Sequence, residues 1–196
     1  MFWLIITIAL WGLVHSLLAS MKFKNFLRKT LGDGFMKFYR ALYNIFAVTS
    51  LAPILYLMIS PPNPILYRVP SPWNYVMLAG QGISVLFLLT AVLQTDLLSF
   101  AGLRQLIEPE KTGNLVSGGL YRLVRHPLYT FSLLILWLSP SMTVNSFVVY
   151  TALTTYVLIG ILFEERKLLR EFGNEYANYK LTTPMLLPGL KWDRNK

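Results

Sequence analysis

The sequence predicts an all-α integral membrane protein of about five transmembrane helices, the last two forming a hairpin, with a cytoplasmic C-terminal helical tail. Three observations carry this. The 196 residues are 55% apolar and only 14% charged, with a mean hydropathy of +0.50. A soluble domain carries about a quarter charged residues, so the deficit means that much of the surface meets lipid. Five apolar segments approach the roughly 20 residues needed to cross a bilayer. Finally, the basic residues lie between those segments, almost all in alternate connections.

That distribution also narrows the function classes. A net charge of +9 raises nucleic-acid binding as a question, but Lys and Arg dispersed between apolar runs serve membrane orientation and form no nucleic-acid face. The absence of cysteine excludes disulfides, thiolate metal ligands and a cysteine nucleophile. With His15 and His126 the only histidines, no protein metal site is expected.

The first span is expected over Phe2–Ser20. It lacks the basic start of a cleaved signal peptide and reads as a retained helix. His15 lies inside it, and an intramembrane ionisable residue is a functional candidate by default. A neutral imidazole bonded to a neighbouring helix is the plainer reading and the favoured one. After Met21–Arg40, which holds Lys22, Lys24, Arg28, Lys29, Lys37 and Arg40, the second span is expected over Ala41–Ser60. The stretch Pro61–Pro72, PPNPILYRVPSP, is expected to be a non-helical extracytoplasmic loop, because repeated proline removes donors and blocks a helix. The third span is placed at Tyr75–Leu93, a short fourth at Leu128–Ser139 and a fifth at Ser146–Phe163, the last two turning through SPSMTVN.

Seventeen of the 18 basic residues fall on one side of this arrangement, leaving Arg68 alone on the other. The positive-inside rule then puts the N-terminus outside and the C-terminus in the cytoplasm of a multi-pass protein. No repeat suggests a two-halved transporter. One membrane domain is expected, with 1–93 carrying three spans and 94–196 forming the core of the functional site.

Two polar stretches stand out at the membrane edge. In the first, LVSGGLYRLVRHPLY from Leu115 to Tyr129, Pro127 suits the first helical position and His126 the N-cap. The free N–H groups of that helix start, with Arg125 beside them, make an anion site. Gly118 and Gly119 permit close backbone approach. A basic interfacial anchor fits the same residues equally well. In the second stretch, Glu165, Leu168, Leu169, Phe172, Tyr176 and Tyr179 recur at helical spacing, so Glu165 is expected on the inward face. Adjacent carboxylates Glu164 and Glu165 at a membrane edge call for a cation, which is either Arg125 or a bound ligand. Together the stretches suit a zwitterionic or cationic ligand with a ring to stack, S-adenosyl-L-methionine being one such molecule.

These residues resemble a known group, the small membrane methyltransferases related to isoprenylcysteine carboxyl methyltransferase. The shared pattern is met by Leu115, Val116, Gly118 or Gly119, Tyr121, Arg125, His126, Pro127 and Tyr129, and then by Glu164, Glu165, Phe172, Gly173, Tyr176 and Tyr179. Nearer the N-terminus, HSLLAS from His15, YRALYN from Tyr39 and the Asp96–Gln105 stretch look like methanethiol S-methyltransferases and NnrU-like membrane proteins. The sequence departs from the group in Gly118-Gly119-Leu120, where one Gly is usual, and in Phe131, which replaces a common Gly and would narrow the cofactor groove.

The resemblance implies S-adenosyl-L-methionine as cofactor. Leu115 and Val116 would meet the adenine by their backbone, Gly118 would allow close approach, and Tyr121, Arg125, His126 and Tyr129 would hold the amino-acid end and ribose. Glu164 and Glu165 would form the opposite wall. The methyl acceptor would be a small thiol, a prenylcysteine carboxylate or a lipid amine entering from the bilayer. Arg125, His126 and Glu165 are the candidate catalytic residues, with His126 or Glu165 as base and Arg125 as an alternative orienter of an anionic substrate. A non-enzymatic NnrU-like protein on the same scaffold is the second reading, and a sterol-reductase-like protein a third that the span count disfavours.

Overall fold

The computed structural model describes residues 1–95 and 114–189. The Asp96–Gln105 stretch, Arg104 and Lys111 lie outside the described residues. In chain order the elements are α1 (Phe2–Ala19), α2 (Met21–Thr49), α3 (Ala52–Ile59), β1 (Ile65–Arg68), α4 (Trp73–Leu93), a 3-10 turn (Gly119–Arg122), α5 (Pro127–Trp137), β2 (Ser141–Thr143), α6 (Val144–Phe172) and α7 (Asn174–Thr182). The protein is an all-α multi-pass membrane protein. Among the described residues four helical stretches are long and apolar enough to cross a bilayer: Phe2–Ala19, Met21–Ile59, Trp73–Leu93 and Val144–Phe172.

The chain divides into two compact units. The first comprises the described residues 1–66 and 143–152. In it α1 packs on α2 and α3, and polar side chains tie the helices together. The Trp11 indole N–H donates to Ser50 Oγ at 2.9 Å, and the Tyr39 hydroxyl donates to the Leu18 carbonyl at 2.6 Å. His15 takes the structural role: its Nε2 lies 2.6 Å from the Tyr43 hydroxyl and its ring stacks on Trp11.

The second expected span is two helices in sequence. It breaks at Ser50-Leu51, because Pro53 in the first turn of α3 has no N–H and its ring crowds the carbonyl four residues back. Asn145 then caps α3, its Nδ2 donating to the Leu57 and Ser60 carbonyls at 3.2 and 3.1 Å. The Leu57 carbonyl also accepts from the Ser60 N–H at 3.3 Å, and Asn145 thus completes the bonding of the helix end.

The second unit comprises the described residues 67–95, 114–142 and 153–189, and it carries both polar stretches. Its framework is α4 against α5. Gly80 gives the close approach there, since a Cβ would stand 2.9 Å from Leu138 Cδ1. Gln81 Nε2 donates to the Ile135 carbonyl at 2.7 Å.

At eleven residues α5 is about 16 Å long, well short of a roughly 30 Å hydrocarbon core. Pro127 sets its start and the Ser139-Pro140 pair stops it. The loop expected over Pro61–Pro72 is non-helical, yet it contains the four-residue strand β1, which pairs with β2. Flanking prolines allow a strand this short, because it needs a partner only along one edge.

Candidate functional site

The first polar stretch is built around a glycine that sequence pattern alone did not separate from its neighbour. Gly119 sits at φ +56°, and a Cβ there would lie 2.5 Å from the Gln94 carboxamide. The Gln94 Oε1 accepts from the Leu120 N–H at 2.9 Å. Side chain and missing side chain thus fit one another, and the second Gly of the pair is the one that the geometry requires. Gly118, at φ −94°, is under no such constraint and has open space around it.

His126 is the N-cap of α5 as the sequence suggests, capping through its backbone carbonyl, which accepts from the Thr130 N–H at 3.0 Å. The segment after α7 runs alongside. The Arg125 and His126 N–H groups donate to the Pro184 and Met185 carbonyls at 2.8 and 3.2 Å, and the Thr130 hydroxyl donates to the Leu186 carbonyl at 2.9 Å.

Arg125 and Glu165 meet. The guanidinium donates from Nε and Nη2 to Glu165 Oε1, at 2.8 and 2.5 Å, and from Nη1 to the Thr183 and Lys180 carbonyls. Lys180 Nζ lies 2.7 Å from the other carboxylate oxygen of Glu165, and His126 Nε2 lies 3.4 Å from Oε1. Both side chains of the Arg125–Glu165 pair are 8% exposed. The anion that the Arg125 fork grips is therefore the protein's own.

Glu164 is placed differently. Its Oε2 is buried and accepts no hydrogen bond. Such an atom is uncommon in a folded protein and calls for an explanation. His126 Nδ1 stands 3.8 Å from that oxygen, and the Tyr129 and Tyr121 phenols face the same carboxylate. The Tyr129 ring lies 5.7 Å from the imidazole. A carboxylate with one oxygen left over, faced by an imidazole and by two phenols of which Tyr129 hydrogen-bonds it, suits a ligand cation by charge and by cation–π contact. The Tyr176 hydroxyl is likewise buried, with the Arg125 guanidinium and the Glu165 carboxylate beside it.

An open cleft of about 490 Å³ adjoins this arrangement, with Leu115, Ser117 and Arg122 on one wall and Glu175, Asn178 and Tyr179 on the other. Val116 is half-buried beside Leu115. The Tyr179 hydroxyl donates to the Tyr121 carbonyl at 2.5 Å and so ties α7 to the 3-10 turn. Phe131 turns away from the polar residues: its ring packs on Phe87 of α4 at 5.1 Å.

Lys180, Thr130, Gln94 and the 183–186 segment escaped the sequence reading. Lys180 had a signal in its spacing of four from Tyr176, one turn along the same helix face. Leu169, expected inward with Glu165, is 46% exposed. Gly173, at φ +53°, breaks the helix between them and the Tyr176–Tyr179 pair, so one helical phase does not run through all six residues. Among the described residues no group of three or more His, Cys, Asp or Glu is placed to hold a metal.

The family described as NnrU protein matches residues 3–189. The methanethiol S-methyltransferase of Pseudomonas deceptionensis is 28% identical over 95% of this chain and 72% of its own length. Methanethiol S-methyltransferase 2 of Bradyrhizobium diazoefficiens is 28% identical over the same shares. The methanethiol S-methyltransferase of Crocosphaera subtropica is 31% identical over 92% of this chain and 72% of its own. No solved structure matches the chain.

Proposed function

The chain belongs to the NnrU protein family, and from that premise we propose that it is a membrane methyltransferase using S-adenosyl-L-methionine, with a small thiol as the favoured acceptor. The names of its relatives support methyl transfer and the thiol. The observation that carries the cofactor is the buried, unpartnered Glu164 Oε2 facing His126, Tyr121 and Tyr129. These residues fit the group: the carboxylate and aromatic faces suit its positive end, and the cleft at Leu115 has room for a nucleoside.

When bound, S-adenosyl-L-methionine supplies an electrophilic methyl carbon on a sulfonium. The chain supplies position. Glu164, Tyr121 and Tyr129 orient the cationic end, while Leu115 and Val116 offer backbone groups to the ring, with Gly118 leaving space beside them. Arg125 and Glu165 act through one another to fix His126 and the 183–186 segment. Both Glu165 oxygens are occupied by Arg125 and Lys180, which leaves His126 the better placed group to take a proton from a thiol. Holding nucleophile and methyl carbon in line is the larger part of the catalysis such a site can offer. The orientation that fits the basic residues keeps the N-terminus outside and this site on the cytoplasmic face.

Titration calorimetry of the detergent-solubilised protein with S-adenosyl-L-methionine tests the reading. Binding by wild type, weakened at least about tenfold in Glu164→Gln by loss of a charged contact, is expected. No binding by a folded wild type overturns it. Transfer of labelled methyl to thiols, prenylcysteines and lipid amines then ranks the acceptors, and binding without transfer to any would favour a non-enzymatic role.

A further inference from the structure

The N-terminal part of α2 has a property that methyl transfer does not use. Ser20, extended at ψ 143°, ends α1 and caps α2, its Oγ accepting from the Phe23 N–H at 3.2 Å. Gly32, at φ +77°, interrupts α2 twelve residues later. Between these two breaks lies Met21–Leu31, an independent helical segment of about three turns. At about 100° per residue, Phe23, Phe26, Leu27 and Thr30 fall on one side, and Lys22, Asn25, Arg28 and Lys29 on the other. Phe26 is 60% exposed. From Met21 to Arg40 six basic residues stand against Asp33 alone, and residues 1–32 contain no acidic residue; Asp33 pairs with Arg28 at 3.2 Å, an exposed contact that water and salt weaken and that a lipid phosphate can replace.

The segment starts two residues after a candidate span ends, so it lies where the chain leaves the bilayer. A helix with aromatic residues on one side and Lys and Arg on the other lies flat in the headgroup region. We propose that Met21–Leu31 is an interfacial helix that docks on anionic phospholipid, with Phe23, Phe26 and Leu27 in the acyl boundary and Lys22, Arg28 and Lys29 on lipid phosphates. Charge selects the occupant: a side carrying Lys22, Arg28 and Lys29 with no carboxylate among residues 21–31 has little use for a zwitterionic surface but is attracted to an anionic leaflet within a Debye length. Gly32 and Ser20 let the helix take the plane of the membrane while the flanking helices cross it.

Hydrogen exchange of the full-length protein in nanodiscs tests this. Adding phosphatidylglycerol to phosphatidylcholine discs should slow exchange over residues 21–31 by about tenfold, and raised salt should reverse it. The variant K22Q/R28Q/K29Q should lose the slowing while peptides from α4 exchange as in wild type. If that variant does not fold, the salt titration of wild type separates the same outcomes. Equal exchange in both lipids, slowing that salt leaves intact, or protection that rises with protein concentration in phosphatidylcholine alone would overturn the proposal, the last pointing to a second copy. Inorganic phosphate added to phosphatidylcholine discs should leave exchange unchanged; slowing by phosphate would overturn a lipid surface as the partner.

Discussion

Arg125 makes four side-chain hydrogen bonds, two to Glu165 and two to backbone carbonyls of the C-terminal segment. Removing one member of a buried ion pair leaves the other uncompensated, at about 3–5 kcal/mol. Because Lys180 still meets Glu165, Arg125→Ala is expected to lower stability by less than that limit in denaturant unfolding, by about 2–3 kcal/mol, and Arg125→Lys to recover only part of it, since an ammonium cannot reproduce the fork. Gly119 and Gly118 give a sharper contrast. Gly119→Ala forces a Cβ into the Gln94 carboxamide at a left-handed φ and should cost about 1–3 kcal/mol. Gly118→Ala should stay within about 0.5 kcal/mol. Equal melting temperatures for the two would show the Gln94 contact to be irrelevant. Burial pushes the Tyr121 and Tyr179 phenols up to about 12 from an ordinary 10.0. Their contribution to stability is complete below pH 10 and is lost as the pH rises toward 12. The unfolding midpoint should fall across that window, and less steeply in Tyr179→Phe.

At the level of elements, α7 and the segment after it are held by Lys180 to Glu165 of α6, by Tyr179 to the 3-10 turn, and by the Arg125 side chain and backbone pairs to the start of α5. Lys180→Gln removes a cation from Glu165, and the Arg125 and His126 amides, which donate into that segment, should then exchange faster while those of α4 do not. Unchanged exchange at both amides would mean that Arg125 alone holds the segment. How far this was legible follows from the chemistry. The N-cap at His126, the inward Glu165 and the meeting of Arg125 with a carboxylate follow from spacing and charge. Which of two adjacent carboxylates faces inward is a rotation of about 100° along α6, and the helical spacing carries that much; it does not carry the step to Tyr176, because Gly173 resets the phase in between. The 183–186 segment has no periodic signal, because it is recognised through its carbonyls.

For the whole molecule, hydropathy located the apolar helices of the described residues, since exclusion from water is a sum over residues and needs no contact geometry. It could not give the break at Ser50-Leu51 or the brevity of α5, which are set by single prolines. A ligand that binds only the folded protein stabilises it by about 2.7 kcal/mol at a hundredfold excess over Kd. Saturating S-adenosyl-L-methionine should thus raise the melting temperature of the solubilised protein by several degrees, and that of Glu164→Gln by much less. An equal rise in both would exclude Glu164 from the contact.

The carbonyls of Thr183, Pro184, Met185 and Leu186 are what Arg125, His126 and Thr130 bind. That attachment is blind to side chains: a proline serves as well as any residue, because only its oxygen is engaged. Chain termini of different composition could be grafted after Lys180 and still dock, provided that the count of residues is kept. A one-residue deletion between Lys180 and Pro184 would do more harm than substituting all four side chains, because it shifts every acceptor out of register at once.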